Sequence, residues 1–384
     1  MKTEKLYESD AYISRFEATV LSCENADGVY KTVLSKTAFF PEGGGQPADI
    51  GKIDGIPVFD VKIENGEIYH YTKTPLAKGK KAAGEIDFDR RFNFMQNHTA
   101  EHIVSGLVYK KFGFDNIGFH LNENEVSFDF NGFFTSEQLR ELELEANKRV
   151  WRNLKVSAYY PAADELGSIS YRAKSGIEGE IRLVTIEDTD VCACCAPHVK
   201  STGEIGLIKF LATEKQHGGT RIFMKSGGFA LLDYASKTDD IKTICEALSA
   251  KPHEAARAVL ALNARLDAQK QYAKDLSEQL NYYRIKFFDK SKAAISVAYA
   301  DIKDLQPLAD SLHKTYGGVR TALSKNECGA VFVMCGAADK LEVAFNDLRQ
   351  KFSIKGGGRD QMRQGSIIAP FDEILEYFGV RETL

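Results

Sequence analysis

The chain has 384 residues, 43% of them hydrophobic and 27% charged, with a formal net charge of −4, the composition of an ordinary globular protein rather than a fibrous or disordered one. The negative balance argues against a protein that coats nucleic acid nonspecifically, while leaving room for a local basic patch. No run of eighteen apolar residues occurs, and Met1-Lys2-Thr3-Glu4-Lys5 lacks the apolar segment of a signal peptide, so no transmembrane helix is expected and residence is expected to be cytoplasmic. Cys23, Cys192, Cys194, Cys195, Cys245, Cys328 and Cys335 are odd in number, and three of them crowd together near a histidine. That spacing favours a metal or reactive site over a disulfide framework.

Residues 1–89 read as a small glycine-rich antiparallel β-barrel. Tyr12–Val20 and Gly28–Leu34 are strand-like, and shorter strands follow at Lys52–Asp54, Val58–Glu64 and Glu67–Thr72, with turns at Asp54-Gly55 and Asn65-Gly66. From Arg90 to about Tyr109 the pattern turns helical. A β pair follows (Gly118–Leu121, Glu125–Phe130), then a charged helix to Leu154 capped by Thr135 or Ser136. Arg182–Ile186, Gly206–Leu211 and Thr220–Met224 complete an α+β domain over 90–232, with Gly218-Gly219 as a turn.

The segment 233–292 reads as a long helical or coiled-coil linker. Val259, Leu262, Leu266, Gln269, Ala273, Leu276, Leu280, Tyr283 and Phe287 alternate spacings of three and four. This is a heptad seam about 40 Å long, polar at one position, which either packs on a neighbouring helix at Asp239–Leu248 or pairs with a second copy. Residues 293–384 read as a C-terminal α/β domain, with strands at Ala294–Ala300 and Ala330–Met334, helices at Leu305–Tyr316 and Asp339–Phe352, and a loop over Ile354–Gly365. The fold class is therefore α+β and multidomain.

His98 and His102 stand four apart on the first helix, so both rings project from one face. Cys194 and His198 repeat that gap, and together the four make a nitrogen and sulfur set suited to zinc. The glycine stretches Gly43–Gly45 and Gly356–Gly358 are not nucleotide cradles, because no Gly-Lys-Ser/Thr follows.

With these motifs in place, the chain resembles the AlaX family of freestanding alanyl-tRNA editing proteins in its long form, relatives of the editing half of alanyl-tRNA synthetase. Phe40-Pro41-Glu42-Gly43-Gly44-Gly45-Gln46-Pro47-Ala48-Asp49-Ile50-Gly51 resembles the family's glycine-rich stretch, and His98-Thr99-Ala100-Glu101-His102 its first zinc arm. Cys194–His198 resembles the second arm, and Gly356-Gly357-Gly358-Arg359 with Gly365 resembles the C-terminal domain of the synthetase. One departure is Cys194-Cys195-Ala196-Pro197-His198, where the family commonly has Cys-Gly-Gly-Thr-His; it leaves Cys192 and Cys195 as rival ligands.

The resemblance implies a zinc-dependent hydrolase that clears mischarged Ser-tRNA(Ala), with glycine as a further substrate left open, and spares Ala-tRNA(Ala). The alternative is a zinc-containing tRNA-binding protein without activity. Zinc would be held by His98, His102, Cys194 and His198, either activating water or anchoring substrate. The resemblance assigns Gln46 a polar contact in the pocket and Thr37 the reading of the serine hydroxyl. Glu101 precedes the second histidine and is expected to point away from the shared face. Arg90, Arg91, Lys110 and Lys111 near the zinc helix, and Lys355, Arg359 and Arg363 in the tail, are expected to face tRNA. A homodimer is expected through the 259–287 helix or the C-terminal domain.

Overall fold

The computed structural model describes residues 3–123, 126–173, 180–216 and 218–381, which divide into two compact units, Met1–Thr243 and Ile244–Leu384. Met1, Lys2 and Glu125, the expected start of a strand, lie outside the described residues. Among the described residues no helix is long and apolar enough to cross a membrane.

After a short strand at Glu4–Lys5 and a helical turn at Leu6–Ser9, the first unit builds a barrel from β1 (Arg15–Ala26), β2 (Val29–Leu34), β3 (Gly51–Ile53), β4 (Ile56–Glu64), β5 (Glu67–Thr72) and β6 (Lys81–Ile86). All pairings are antiparallel in the order β1-β2-β5-β4-β3-β6, and β6 pairs back onto β1, so the ring closes. Three hairpins turn on Asp27-Gly28, Asp54-Gly55 and Asn65-Gly66, where both residues have positive φ. That is the two-residue turn whose twist matches its flanking strands. The sequence Lys-Ala-Ala-Gly-Glu-Ile of β6 has little strand character of its own. It is extended because it bridges β3 and β1 and buries Ala82, Gly84 and Ile86 on one side.

The chain then enters α1 (Phe88–Phe112), started by Asp87, whose side chain accepts from Arg90 N, and ended by Gly113 at φ 69°. Every residue from Phe94 to Gly106 is buried, so α1 is a central helix covered all round rather than an amphipathic one. Around it lie β7 (Asn116–Leu121), β8 (Val126–Phe130), α2 (Ser136–Trp151), β9 (Val156–Tyr159), β10 (Leu183–Ile186), β11 (Asp190–Ala193), β12 (Ile208–Gln216) and β13 (Gly219–Ser226). They form a four-stranded sheet, β12-β13-β8-β7, and a three-stranded one, β9-β10-β11. Thr135 caps α2 in a reciprocal pairing with Gln138. The unit has two apolar cores: one inside the barrel, with Val20, Phe39, Ile53 and Val61, and one around α1, with Phe94, Ile103, Phe128 and Leu142. Cys194 packs against both. The expected helix at Asp239–Leu248 is the end of a longer one, α3 (Gly227–Leu248).

The second unit holds α4 (Ala255–Lys286), β14 (Ala294–Ser296), α5 (Ile302–Tyr316), β15 (Arg320–Asn326), β16 (Gly329–Cys335), α6 (Ala338–Lys351), β17 (Ser353–Gly357), β18 (Met362–Ile368) and α7 (Phe371–Phe378). The sheet order is β14-β15-β16-β18-β17. Successive residues of β16 face opposite cores, Phe332 and Met334 toward α6 and α7, Val333 and Cys335 toward α5, as a sheet covered on both faces requires. The expected loop at Ile354–Gly365 is instead the β17–β18 hairpin. A Cβ at Gly356 would lie 2.3 Å from Gln364 O, and one at Gly365 2.4 Å from Lys355 O. These glycines let two strands meet backbone to backbone, which their sequence does not distinguish from a loop.

Candidate metal centre

His98 and His102 come from the middle of α1, while Cys194 and His198 follow β11, and the four donor atoms lie within 4.8 Å of one another. Cys194 Sγ is 3.3 Å from His198 Nε2 and 3.6 Å from His98 Nε2. Zinc–sulfur and zinc–nitrogen bonds of ordinary length at a tetrahedral angle require a sulfur–nitrogen separation of about 3.5 Å. The group is therefore the right size to hold a metal ion such as zinc.

The hydrogen-bond partners settle which ring nitrogens can donate electrons. Thr99 Oγ1 gives its hydrogen to Met95 O at 2.7 Å, so it accepts from His198 Nδ1 at 3.0 Å, leaving the Nε2 lone pair free. His98 Nδ1 donates to Gln46 Oε1 at 2.9 Å, and His102 Nδ1 lies 3.3 Å from Asp190 Oδ2, off the line of a good hydrogen bond. His98 and His198 thus hold Nδ1 against an oxygen and keep Nε2 for the centre, the usual second layer of a metal site, while His102 has Nδ1 beside Asp190 without a hydrogen bond.

Burial opposes the Cys194 thiolate, but the His98 and His198 rings and hydrogen bonds outweigh it and hold the thiol well below its usual range. Burial pushes His198 down to about 3, keeping it neutral. The same burial pushes Cys192 up to about 11, so the rival thiol stays protonated at neutral pH and is a poorer ligand than Cys194. Cys195 is exposed and outside the group.

The glycine-rich loop reaches this centre by docking on β7. Gly45 O accepts from Leu121 N at 3.1 Å, and a Cβ on Gly45, at φ +87°, would stand 2.7 Å from Phe119 O. That approach brings Gln46 onto His98 and leaves Gln46 Nε2 buried without a partner among the described residues. A cavity of about 950 Å³ opens beside the centre, lined by Gly44, His98, Glu101, His102, Phe119, Tyr160, Tyr171, Arg182 and Cys194 among others.

Several expected site residues are placed differently. Glu101 does reach the cavity: Ser105 Oγ and Asn116 Nδ2 both donate to its Oε1 at 2.5 Å, and its Oε2 stands 3.9 Å from His102 Nε2. A helical wheel sets its Cα off the shared face, but the long side chain bends back. Gln46 touches His98 but is not among the residues lining the cavity, and neither is Thr37. It is buried in the barrel, where its hydroxyl pairs with His70 Nε2 at 2.8 Å and accepts from Phe39 N; it was expected beside the substrate because of its position before the glycines, which says nothing of side-chain direction.

Arg91 must be withdrawn from the tRNA-facing set. It is fully buried, its guanidinium spread over the Asp49 carboxylate, Ala38 O and Ala11 O, where it ties α1 to the glycine-rich loop. Arg90 is mostly covered and pairs with Glu123 and Ala48 O. Lys110 bonds Asp188 O and Lys111 pairs with Glu141. In the second unit, Arg363 pairs with Glu342, while Lys355 and Arg359 are exposed. Asp190 and Arg172, absent from the expected site, join it through the fold alone; neither sits in a motif.

The family described as threonyl and alanyl tRNA synthetase second additional domain matches residues 181–223, the stretch that carries Cys194 and His198. The alanyl-tRNA editing protein AlaX-L of Pyrococcus horikoshii is 27% identical over 402 residues, covering 97% of this chain and 96% of that protein. The chain is similar along nearly its whole length to the long form of the AlaX family. The alanine–tRNA ligases of Halobacterium salinarum and Methanococcus vannielii are 32% and 27% identical, across 89% and 98% of this chain. The chain spans only 39% and 43% of those ligases, so it corresponds to part of them.

Proposed function

We propose that this protein is a trans-editing hydrolase that cleaves the aminoacyl ester of mischarged tRNA(Ala), releasing serine and sparing alanine. The observation that carries the reading is the convergence of His98, His102, Cys194 and His198 on one centre, the first three of them lining a cavity large enough for an aminoacylated ribose. These four residues would hold zinc, which supplies a Lewis acid and a concentrated positive charge beside the ester. Gln46 stands outside the lining of that cavity but against His98, with its amide Nε2 buried and unpaired among the described residues, and would donate to the ester carbonyl or the serine hydroxyl. A site built to bond that hydroxyl rejects the substrate lacking it by up to about 10⁴-fold. Glu101 offers an open carboxylate oxygen to the same space. The exposed Lys355 and Arg359 of the second unit suit tRNA phosphates, and the 259–287 helix or the C-terminal domain suits self-association.

The deciding experiment follows hydrolysis of Ser-tRNA(Ala) and Ala-tRNA(Ala) by the wild type and by Cys194→Ala. Fast serine release, lost in the variant, with alanine retained, supports the reading. No release from either substrate by a zinc-loaded wild type would leave a tRNA-binding zinc protein without activity.

A further inference from the structure

His102 belongs to two overlapping donor sets. With His98, Cys194 and His198 it makes the centre already described, and with Asp190 and Cys192 it makes a second trio whose donor atoms also lie within 4.8 Å of one another. The carboxylate of that trio is already engaged. Arg172 closes on both of its oxygens, Nε to Oδ1 at 2.8 Å and Nη2 to Oδ2 at 2.7 Å, and Asp190 is buried. A guanidinium does not give up its charge, so a cation drawn to Asp190 would meet a fixed positive charge in a setting where screening is weak.

The backbone holds this arrangement on both sides. Arg172 N donates to Val191 O at 2.8 Å, and Ala193 N to Arg172 O at 2.9 Å, so residue 172 is sewn along the edge of β11. On the other side, a Cβ at Gly106 would stand 2.7 Å from Thr189 O and 2.8 Å from Asp190 Cβ. One turn beyond His102, α1 and β11 touch without an intervening side chain, which fixes how far Asp190 stands from the His102 ring.

We propose that Asp190 is a positioning residue for the metal centre: it holds the His102 ring with Nε2 turned toward Cys194, while Arg172 keeps Asp190 in that place and off the metal. The inference rests on the reading that the four residues bind zinc. A carboxylate behind a ligating histidine fixes tautomer and orientation, and its loss commonly costs about 10–100-fold in metal affinity.

The test uses the full chain, loaded with zinc for release into a chromogenic chelator and with cobalt(II) for its visible absorption. Asp190→Asn is expected to release zinc about 10–100-fold faster and to shift the cobalt bands. Arg172→Met should move both readouts the same way, Arg172→Lys should restore them, and Arg172→Met with Asp190→Asn should add little to either alone. Cys192→Ser should behave as the wild type. If Asp190→Asn kept wild-type zinc release and cobalt bands, the positioning role would be overturned. Metal loss in Cys192→Ser as large as in Asp190→Asn would instead place the cation in the trio. Should Asp190→Asn fail to fold, the Arg172→Met and Arg172→Lys pair carries the decision. A wild type that takes up neither metal would sink the ligand reading itself, a separate outcome.

Discussion

Arg91 shows how a residue's surroundings overrule its type. Basic residues are usually solvated, and one beside a metal helix suggests contact with phosphate, yet this guanidinium is buried against Asp49 and two carbonyls. Removing one member of a buried pair leaves the other charge uncompensated, so Arg91→Ala is expected to cost about 3–5 kcal/mol. Arg91→Met combined with Asp49→Leu should recover much of that loss. Urea unfolding of the two variants beside the wild type checks it, and a double variant as unstable as the single would refute the pairing as its cause. His70 makes a second argument at this scale. Its Nδ1 donates to Thr32 O and its Nε2 faces the Thr37 hydroxyl, and burial pushes its pKa down to about 4. The folded value lies below the unfolded value of about 6.5, so the unfolded chain binds the extra proton between those limits and stability falls as pH drops from 6.5 to 4. The loss is on the order of 3 kcal/mol. Comparing unfolding at pH 7 and pH 4.5 in the wild type and in His70→Gln isolates it: the variant should show a shallower fall.

At the scale of elements, the candidate ligand cluster was legible because helix periodicity alone puts His98 and His102 on one face. Cys194 and His198 repeat the spacing without being helical; what aligns them is the packing of the strand-and-loop arm on α1, with Thr99 Oγ1 receiving both His198 Nδ1 and Val199 N. The glycine-rich loop was legible as a close approach, but not as to what it approaches: Gly45 meets β7, and through that docking Gln46 meets His98. Strands such as β6 and the β17–β18 hairpin were hidden because their glycines and small residues carry no alternation, and only long-range pairing extends them. Gly45→Ala tests the docking. Its Cβ would overlap Phe119 O at an already positive φ, so the loop must withdraw, at a cost of about 1–3 kcal/mol. Deacylation should fall well below wild type while zinc content holds, since no ligand is touched. Equal activity in the variant would detach Gln46 from the reaction.

For the whole molecule, four sequence segments resolve into two compact units, because the barrel and the α1 domain share Cys194 at their joint and bury it from both sides. The heptad seam raises a different question. It lies on α4 as the spacing requires, yet Leu262, Leu266, Leu276 and Leu280 are each about half exposed, at 49%, 51%, 46% and 49%. A single helix gains little by placing leucines every three and four residues toward water, whereas two such helices bury them knob into hole. The self-association proposed above is therefore expected to use this seam. Leu266→Lys with Leu280→Lys puts two charges into it without touching either core. Light scattering should then show a dimer in the wild type and a monomer of unchanged helical content in the variant, with the thermal midpoint of the second unit lowered. A dimer that survives both lysines would move the interface to the C-terminal domain, and a wild-type monomer would leave the seam for another partner helix.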